Sequence, residues 1–257
     1  MTQVDVTVDG SIASIVINRP EVMNAVSPSV LSELHAAIDE AESAMVRVCI
    51  LSGAGGRAFS AGADLSEMLK FTPEEARALL DAGIALTRRL ETGSFVSIAA
   101  IHGHALGGGT EIVLACDLRF ANDKATLGLP EVTVGIFPGW GGVVRLPRQA
   151  PQPIALDMIL SGRILSADEA LKAGLIEGIV DDPLEAATQA AERLIRAGPT
   201  AQMLARRVVR ETARLDLDAA LTHAADSWMS LMDSGQRVEG HRAFIEKRAA
   251  DWSVAER

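Results

Sequence analysis

Polar and apolar residues alternate along the first part of the chain. Val4, Val6 and Val8 alternate with polar residues, and a turn sequence at 9–10 separates them from an apolar run at 12–17. A period of two is the spacing that gives a strand one buried face. The pattern therefore predicts a β-hairpin at the start of the chain.

Further along, the apolar positions take a helical period behind residues that cap a first helical turn. A Ser, Thr or Asp followed by Pro, or by Glu three positions later, is typical of a helix start. Such signals stand at 27–28, 72–75, 166–169 and 182–185. Each one predicts the beginning of a helix.

Short apolar runs between the capping signals indicate buried strands. They lie at 46–51, 97–101 and 118–121, and each is bounded by turn residues. Strand and helix patterns thus alternate over the first two thirds of the chain, and helical patterns follow from there. The alternation predicts an α/β protein with a core at 1–197 and a C-terminal helical region at 198–257.

Composition narrows the classes of function. The chain has 257 residues, of which 48% are hydrophobic, and a formal net charge of -10. The acidic balance disfavours nucleic acid and anionic membranes as partners. No apolar run approaches the roughly 18 residues that span a bilayer. Cys49 and Cys116 both lie in apolar runs, as free thiols in a reducing compartment do. With no targeting signal evident, we expect a cytoplasmic protein.

The most unusual stretch is a glycine triplet at 107–109 that leads into a short apolar run. Glycines let backbone N–H groups approach a ligand closely, and the first N–H groups of a helix lack helical partners. Glu111 lies in the apolar run, where burial would raise its pKa and suit it to proton transfer. The alternative is a glycine turn into a core helix, with Glu111 only complementing the helix dipole.

Two other stretches have similar features. Small residues around Ala63 allow a second close backbone approach, and Glu131 follows Pro130 within an apolar segment. Two converging N–H donors would stabilise an oxyanion, and paired carboxyl groups suit proton addition or removal beside a thioester carbonyl. Spacing alone leaves ordinary turns and loop acids open. Asp64 has the spacing of a helix cap, which favours a structural role.

Taken together, the motifs strongly resemble the crotonase (enoyl-CoA hydratase/isomerase) superfamily. The resemblance extends over nearly the whole chain and keeps the order of the motifs. It rests on Asn18-Arg19-Pro20-Glu21 with Asn24-Ala25, Ala58 to Leu65, Ala105 to Gly109 with Glu111, Pro130-Glu131 with Gly135-Ile136 and Pro138-Gly139, Arg145 to Arg148, and the run at 240–248.

The resemblance implies a fold, an assembly and a reaction. The fold would be a spiral of ββα units with C-terminal helices that build homotrimers, commonly paired into hexamers. The N–H groups of Ala63 and Gly108 would hold the thioester oxygen of a 2-trans-enoyl-CoA. Glu111 would activate water and Glu131 would protonate the α-carbon. Coenzyme A is part of the substrate, and neither a metal nor a redox cofactor is implied.

The resemblance also implies binding positions for the substrate. The backbone of Ala61 would contact the adenine, and Arg57 would lie near the CoA phosphates. The further predicted substrate-binding positions are Asp64, Leu65, Gly107, Pro130, Gly139 and Trp140.

Several departures and alternatives stay open. A lysine is frequent in the family where Val22 stands, and a smaller residue is usual at Trp140, which either lines the acyl pocket or packs in the core. For His102 and His104 we expect structural roles. The two glutamates favour a hydratase over an isomerase, as does the lack of an aspartate at Gly139. A different lyase or hydrolase of the superfamily, a non-catalytic acyl-CoA-binding subunit and an RNA-binding relative are the other hypotheses.

Overall fold

The computed structural model describes residues 2–253, which form two compact units that divide after Gln189. The division falls inside a helix at Pro183–Leu194, ahead of the predicted boundary after residue 197. The described strands are β1 (Val4–Asp9), β2 (Ile12–Ile17), β3 (Val48–Gly53), β4 (Ala58–Ser60), β5 (Val96–Ile101), β6 (His104–Leu106), β7 (Leu118–Ala121), β8 (Thr126–Gly128), β9 (Ile164–Ser166) and β10 (Gly178–Ile179).

The strands form two sheets. The larger sheet has the order β1-β2-β3-β5-β7-β10, and the smaller has the order β4-β6-β8-β9. The β1–β2 pair is antiparallel and joins Asp9 to Ile12, which confirms the predicted hairpin. The next pairings of the larger sheet are parallel, and β5 is buried along its whole length.

Helices follow the strands along the chain and make up the rest of the regular structure. Those described are α1 (Pro28–Ser43), α2 (Leu65–Met68), α3 (Pro73–Thr92), α4 (Gly108–Ala115), α5 (Gly142–Gln149), α6 (Gln152–Ser161), α7 (Ala167–Lys172), α8 (Pro183–Leu194), α9 (Pro199–Thr212), α10 (Leu217–Met229) and α11 (Gly235–Glu246), with 3-10 helices at Pro20–Val22 and Pro130–Val134.

The predicted capping residues begin the helices where the sequence placed them. Ser27 accepts a hydrogen bond from the Val30 N–H at the start of α1. Thr72 and Ser166 each form a reciprocal capping box, at α3 and α7 respectively. Asp182 accepts from the first turn of α8. Local side-chain chemistry therefore fixes these helix starts.

The chain repeats one pattern of elements through the first unit. β3, β5 and β7 lie side by side in the larger sheet, and each is followed by a short strand of the smaller sheet, respectively β4, β6 and β8. A helical segment comes after each pair: α2 and α3, then α4, then the 3-10 helix at Pro130–Val134. The result is the predicted spiral of ββα units, and it brings the three segments after the short strands to one side.

The second unit consists of helices. Among the described residues α9, α10 and α11 leave large apolar side chains exposed, including Leu217, Leu221, Trp228, Phe244 and Ile245. Such a surface on a helical unit is typical of a protein interface. Within residues 2–253, the structure contains no helix long and apolar enough to cross a membrane.

Candidate active site

The glycine triplet ends β6 and starts α4, whose residues are all buried. Gly107 takes φ 53° and ψ -125°, a conformation that a side chain would strain. Its N–H donates to Gly128 O at 2.9 Å. Within the described chain, the N–H of Gly108 donates to no protein group, as expected of the first residue of a helix. The stretch is therefore a glycine turn into a buried helix, and the first N–H of that helix has no acceptor among residues 2–253.

A second free donor lies on the segment after β4. Ser60 Oγ accepts a hydrogen bond from the Gly62 N–H at 3.1 Å and donates to Asn24 O at 2.8 Å. The N–H groups of Gly62 and Asp64, on either side of Ala63, therefore both donate hydrogen bonds, the one from Asp64 to Val26 O at 3.0 Å. Between them the Ala63 N–H has no acceptor among residues 2–253.

The two glycine segments touch each other. A Cβ built on Gly62 would lie 2.7 Å from Leu106 O and 2.9 Å from the Gly108 nitrogen, and Gly62 has φ +88°. No side chain fits between the segments, so glycine is required here for both space and conformation. Gly108 belongs to this contact, and Ala63 follows Gly62 directly in the chain. The contact therefore holds the N–H donors of Ala63 and Gly108 close together.

Glu111 is 2% exposed and points toward the start of α5. Its Oε1 accepts a hydrogen bond from the Gly142 N–H at 2.7 Å. Burial raises the pKa of Glu111 to about 7, and the nearby Glu131 carboxyl adds to the rise, whereas N–H groups of Gly142 and Trp140 oppose it. Glu111 therefore titrates near neutral pH.

Glu131 lies in the 3-10 helix that Pro130 begins. Burial raises the pKa of its carboxyl to about 6. Its Oε2 is buried and has no hydrogen-bond partner among the described residues. Its Oε1 faces Gly107, since a Cβ on that glycine would lie 3.2 Å away. One oxygen of this carboxyl is thus left for a ligand or water.

Both carboxyl groups border one cavity of about 640 Å³. Its lining includes ten of the twelve residues that the sequence proposed: Ala61, Ala63, Leu65, Gly107, Gly108, Glu111, Pro130, Glu131, Gly139 and Trp140. The other two, Arg57 and Asp64, are not among its lining residues. Arg57 is exposed on the turn before β4.

The side chain of Asp64 caps α2 and pairs with Arg19. It accepts from the Ser66 N–H at 3.2 Å, and Arg19 lies 3.3 Å away. The Ser66 hydroxyl lowers the pKa of Asp64, and the Arg19 guanidinium does so as well. The capping role is confirmed, although Glu67 does not complete a capping box.

The other singled-out side chains lie elsewhere. Val22 is 39% exposed. His102 Nε2 lies 3.5 Å from Asp182, and His104 Nδ1 hydrogen-bonds Thr126 Oγ1 at 2.8 Å. Neither histidine is among the cavity's lining residues, which agrees with the structural roles expected of them.

The sequence did not single out the apolar wall opposite the glycine segments. It comes from α3 and from the segment behind Glu131, and its members include Leu79, Leu80, Val134, Ile136 and Phe137. The last three are exposed apolar residues in a segment with no helical or strand period, a pattern that could have indicated a ligand-facing loop.

Arg145 is a further residue whose place the sequence did not predict. Its Nε and Nη2 bind the two oxygens of Glu91, each at 2.8 Å. Its Nη1 donates to Trp140 O at 2.7 Å, close to the N–H groups that hold Glu111. The bidentate Arg145–Glu91 ion pair thus links the segment around Trp140 to α3.

The cavity is bordered by two N–H donors without a protein acceptor among residues 2–253 and by two carboxyl groups with raised pKa values. Such a set suits proton transfer beside an acyl carbonyl. Residues 7–255 match the enoyl-CoA hydratase/isomerase family, and the chain belongs to that family. The predicted family, crotonase fold and hydro-lyase class are thereby confirmed.

Individual relatives agree with this assignment. The short-chain-enoyl-CoA hydratase of Clostridium acetobutylicum is 36% identical over 93% of this chain and 93% of its own. The 2,3-dehydroadipyl-CoA hydratase of Escherichia coli is 35% identical over 98% of this chain and 99% of its own. The crystal structure of an enoyl-CoA hydratase from Bacillus anthracis has a TM-score of 0.93 and 37% identity, covering 98% of this chain and 99% of that one.

Proposed function

We propose that the chain is an enoyl-CoA hydratase that reversibly adds water across the 2,3 double bond of a 2-trans-enoyl-CoA. The observation that carries the proposal is the placement of Glu111 and Glu131 on the cavity that the Ala63 and Gly108 donors border. Hydration next to a thioester needs a base, an acid and an oxyanion site, and these four groups supply them.

The free N–H groups account for activation of the double bond. When water attacks the β-carbon, the π electrons move toward the thioester carbonyl, and negative charge develops on its oxygen. The N–H groups of Ala63 and Gly108 would donate hydrogen bonds to that oxygen, and neither must first break a protein bond. The charge is stabilised most in the transition state, which is where stabilisation raises kcat.

The two carboxyl groups account for the protons. Between pH 6 and 7 the pair holds about one proton, because its pKa values are about 7 and about 6. We assign the base to Glu111 and the acid to Glu131. Because the pKa of Glu111 is the higher of the two, the shared proton is mainly on Glu111 in the free enzyme, and the reactive form is the tautomer in which Glu131 carries it. In that form the N–H groups of Gly142 and Trp140 stabilise ionised Glu111. Glu131 then gives its proton to the α-carbon through the unpartnered Oε2. The water oxygen bonds to the β-carbon, and its released proton goes to Glu111.

Binding of the CoA portion is part of the same proposal. Ala61 and Leu65 lie on the cavity wall and would contact the nucleotide and pantetheine. Arg57 is exposed and would be available to the CoA phosphates at the surface. Val22 offers no cation where the family often has a lysine, so the positive charge of Arg57 would matter more here.

The proposal extends to assembly, location and cofactors. We propose a homotrimer or hexamer built through the C-terminal helices, whose exposed apolar residues support such an interface. We also propose a cytoplasmic enzyme that binds neither nucleic acid nor membrane, in keeping with a net charge of -10. The proton transfers described above require neither a metal nor a redox cofactor.

The direct test follows the loss of enoyl absorbance with crotonyl-CoA and with longer and branched 2-enoyl-CoAs. The wild-type enzyme should hydrate at least one of them. Glu131→Gln should lower kcat by at least ~10²-fold, the scale of acid–base catalysis. The exposed Glu40→Gln on α1 is the matched control and should have no effect. Absence of hydration across the panel at high enzyme concentration would refute the proposal.

An isomerase is the second candidate, because Glu131 alone could carry a proton between two carbons with its unpartnered Oε2. An isomerase takes up no solvent oxygen, whereas a hydratase incorporates one oxygen atom per turnover. Activity with no oxygen uptake would therefore favour the isomerase over the hydratase.

A further inference from the structure

The indole of Trp140 is the largest side chain on the cavity wall, and two glycines make room for it. A Cβ built on Gly83, in α3, would lie 2.2 Å from the indole Nε1 and 2.3 Å from Cδ1. A Cβ on Gly108 would lie 2.3 Å from Cζ3. The five-membered ring therefore lies on α3, and the six-membered ring lies on the first residue of α4.

This position is next to the reacting groups. Gly108 carries one of the two free N–H donors, and the Trp140 N–H helps to hold Glu111. Trp140 is 4% exposed, and it is one of the residues that line the cavity. The ring thus fills the gap between α3 and the start of α4, on the wall of the cavity that both glutamates border.

The backbone of Trp140 is anchored independently of its ring. Thr87 Oγ1 and Arg145 Nη1 both donate to Trp140 O, at 3.0 Å and 2.7 Å. The N–H of Gly142 also stays on Glu111 whatever side chain stands at position 140. A smaller side chain would therefore open space without removing the contacts that position the base.

We propose that the Trp140 indole, held between Gly83 and Gly108, sets the upper size of the acyl group that the cavity accepts, so that the enzyme prefers short 2-enoyl-CoAs. The inference rests on the proposed hydratase function. Gly83 contributes to the same size limit, because only a residue without a Cβ lets the Trp140 ring lie against α3 and away from the substrate.

The test compares kcat/KM for crotonyl-CoA with kcat/KM for ten-carbon and phenyl-substituted 2-enoyl-CoAs. The wild-type enzyme should favour crotonyl-CoA. Trp140→Ala should raise the ratio of large to small substrate by at least ~10-fold, since one methylene in an apolar pocket already changes discrimination by about that factor.

Gly83 provides a matched cycle of variants. Gly83→Ala should lower the ratio of large to small substrate, because the new methyl group pushes the ring into the cavity. In the Trp140→Ala background the same substitution should leave the ratio unchanged, since no ring remains to be displaced. Ile84→Ala, one position along α3, controls for a general effect of altering this helix.

Either of two results would overturn the proposal. One is a wild-type enzyme that hydrates the ten-carbon substrate as well as crotonyl-CoA. The other is a folded Trp140→Ala variant with an unchanged ratio, which would make the ring a packing element only. If Trp140→Ala does not fold, Trp140→Leu gives the same comparison. A wild-type enzyme with no hydration of any substrate would instead refute the proposed function.

Discussion

Replacing Glu111 by Gln should stabilise the protein, and more so as the pH rises. The wild-type carboxyl has a pKa of about 7 in the folded chain, against 4.5 as its ordinary value. Between these two values the unfolded chain has lost this proton and the folded chain has kept it, so wild-type stability falls with rising pH. Above pH 7 the carboxyl is ionised in both the folded and the unfolded chain, and the folded chain then bears the full free-energy cost of burying the charge.

The magnitude follows from the two pKa values. One pKa unit corresponds to about 1.4 kcal/mol, so burying the charged form costs about 3 kcal/mol at pH 8. At pH 5 the cost is less than about 1 kcal/mol, because the folded carboxyl is still protonated. The substituted glutamine has no charge to bury, and its amide oxygen can still accept from Gly142. The stability difference between variant and wild type should therefore grow by about 2 to 3 kcal/mol from pH 5 to pH 8.

Urea unfolding at pH 5, 6, 7 and 8 measures this difference through the midpoint and the slope. The exposed Glu40→Gln on α1 removes one carboxyl charge without removing a buried one, and its difference from wild type should be flat. A Glu111→Gln difference that is equally flat, or that shrinks as pH rises, would refute the claim that Glu111 is a buried acid with a raised pKa.

Three other perturbations test the site in separate ways. The pH dependence of kcat/KM should be bell-shaped with limbs near pH 6 and pH 7, because below the first limb the base is protonated and above the second no acid remains. A flat profile over this range would contradict the claim that Glu111 and Glu131 share one proton. Gly62→Ala should lower kcat on crotonyl-CoA by at least ~10-fold, since Gly62 has φ +88° and a Cβ there would lie 2.9 Å from the Gly108 nitrogen. An unaffected kcat would show that the two segments need not touch. Arg145→Met should move the upper limb of the pH profile to higher pH, because the variant loses a cation that lowers the pKa of Glu111. Glu91→Gln is the control, since it weakens the Arg145–Glu91 pair but keeps the cation. An unmoved limb would remove Arg145 from the positioning of this site.

Local chemistry explains which parts of the fold the sequence could predict. The starts of α1, α3 and α7 depend on a side chain and a backbone N–H three residues away, so a single stretch of sequence contains the whole cause. The hairpin at the start of the chain is equally local. These elements were predicted within a few residues.

The smaller sheet could not be predicted in the same way. Its strands β4, β6, β8 and β9 have three residues each, too few to display a period of two. They exist because neighbouring strands pair with them, in parallel between β4, β6 and β8 and antiparallel between β8 and β9, and this pairing is a property of the tertiary structure. Their omission matters, since β4 and β6 deliver the two segments that carry the free N–H donors.

The site shows the same division between local and distant causes. The glycine segments and both glutamates were visible as motifs, and the family resemblance joined them into one hypothesis. The α3 side of the apolar wall was not visible in the sequence, because Leu79 and Leu80 lie on a helix whose apolar face also serves the core. The position of the Trp140 ring depends on Gly83, which is 57 positions earlier in the chain (140 − 83 = 57).

The central claim is that this cavity adds solvent water to an enoyl thioester. Incubation with crotonyl-CoA in oxygen-18 water, followed by mass spectrometry of the acyl-CoA, tests it most directly. The account predicts a product heavier by one labelled water, formed at least ~10²-fold more slowly by Glu111→Gln. A product of unchanged mass, or equal rates of label uptake in wild type and Glu111→Gln, would contradict it.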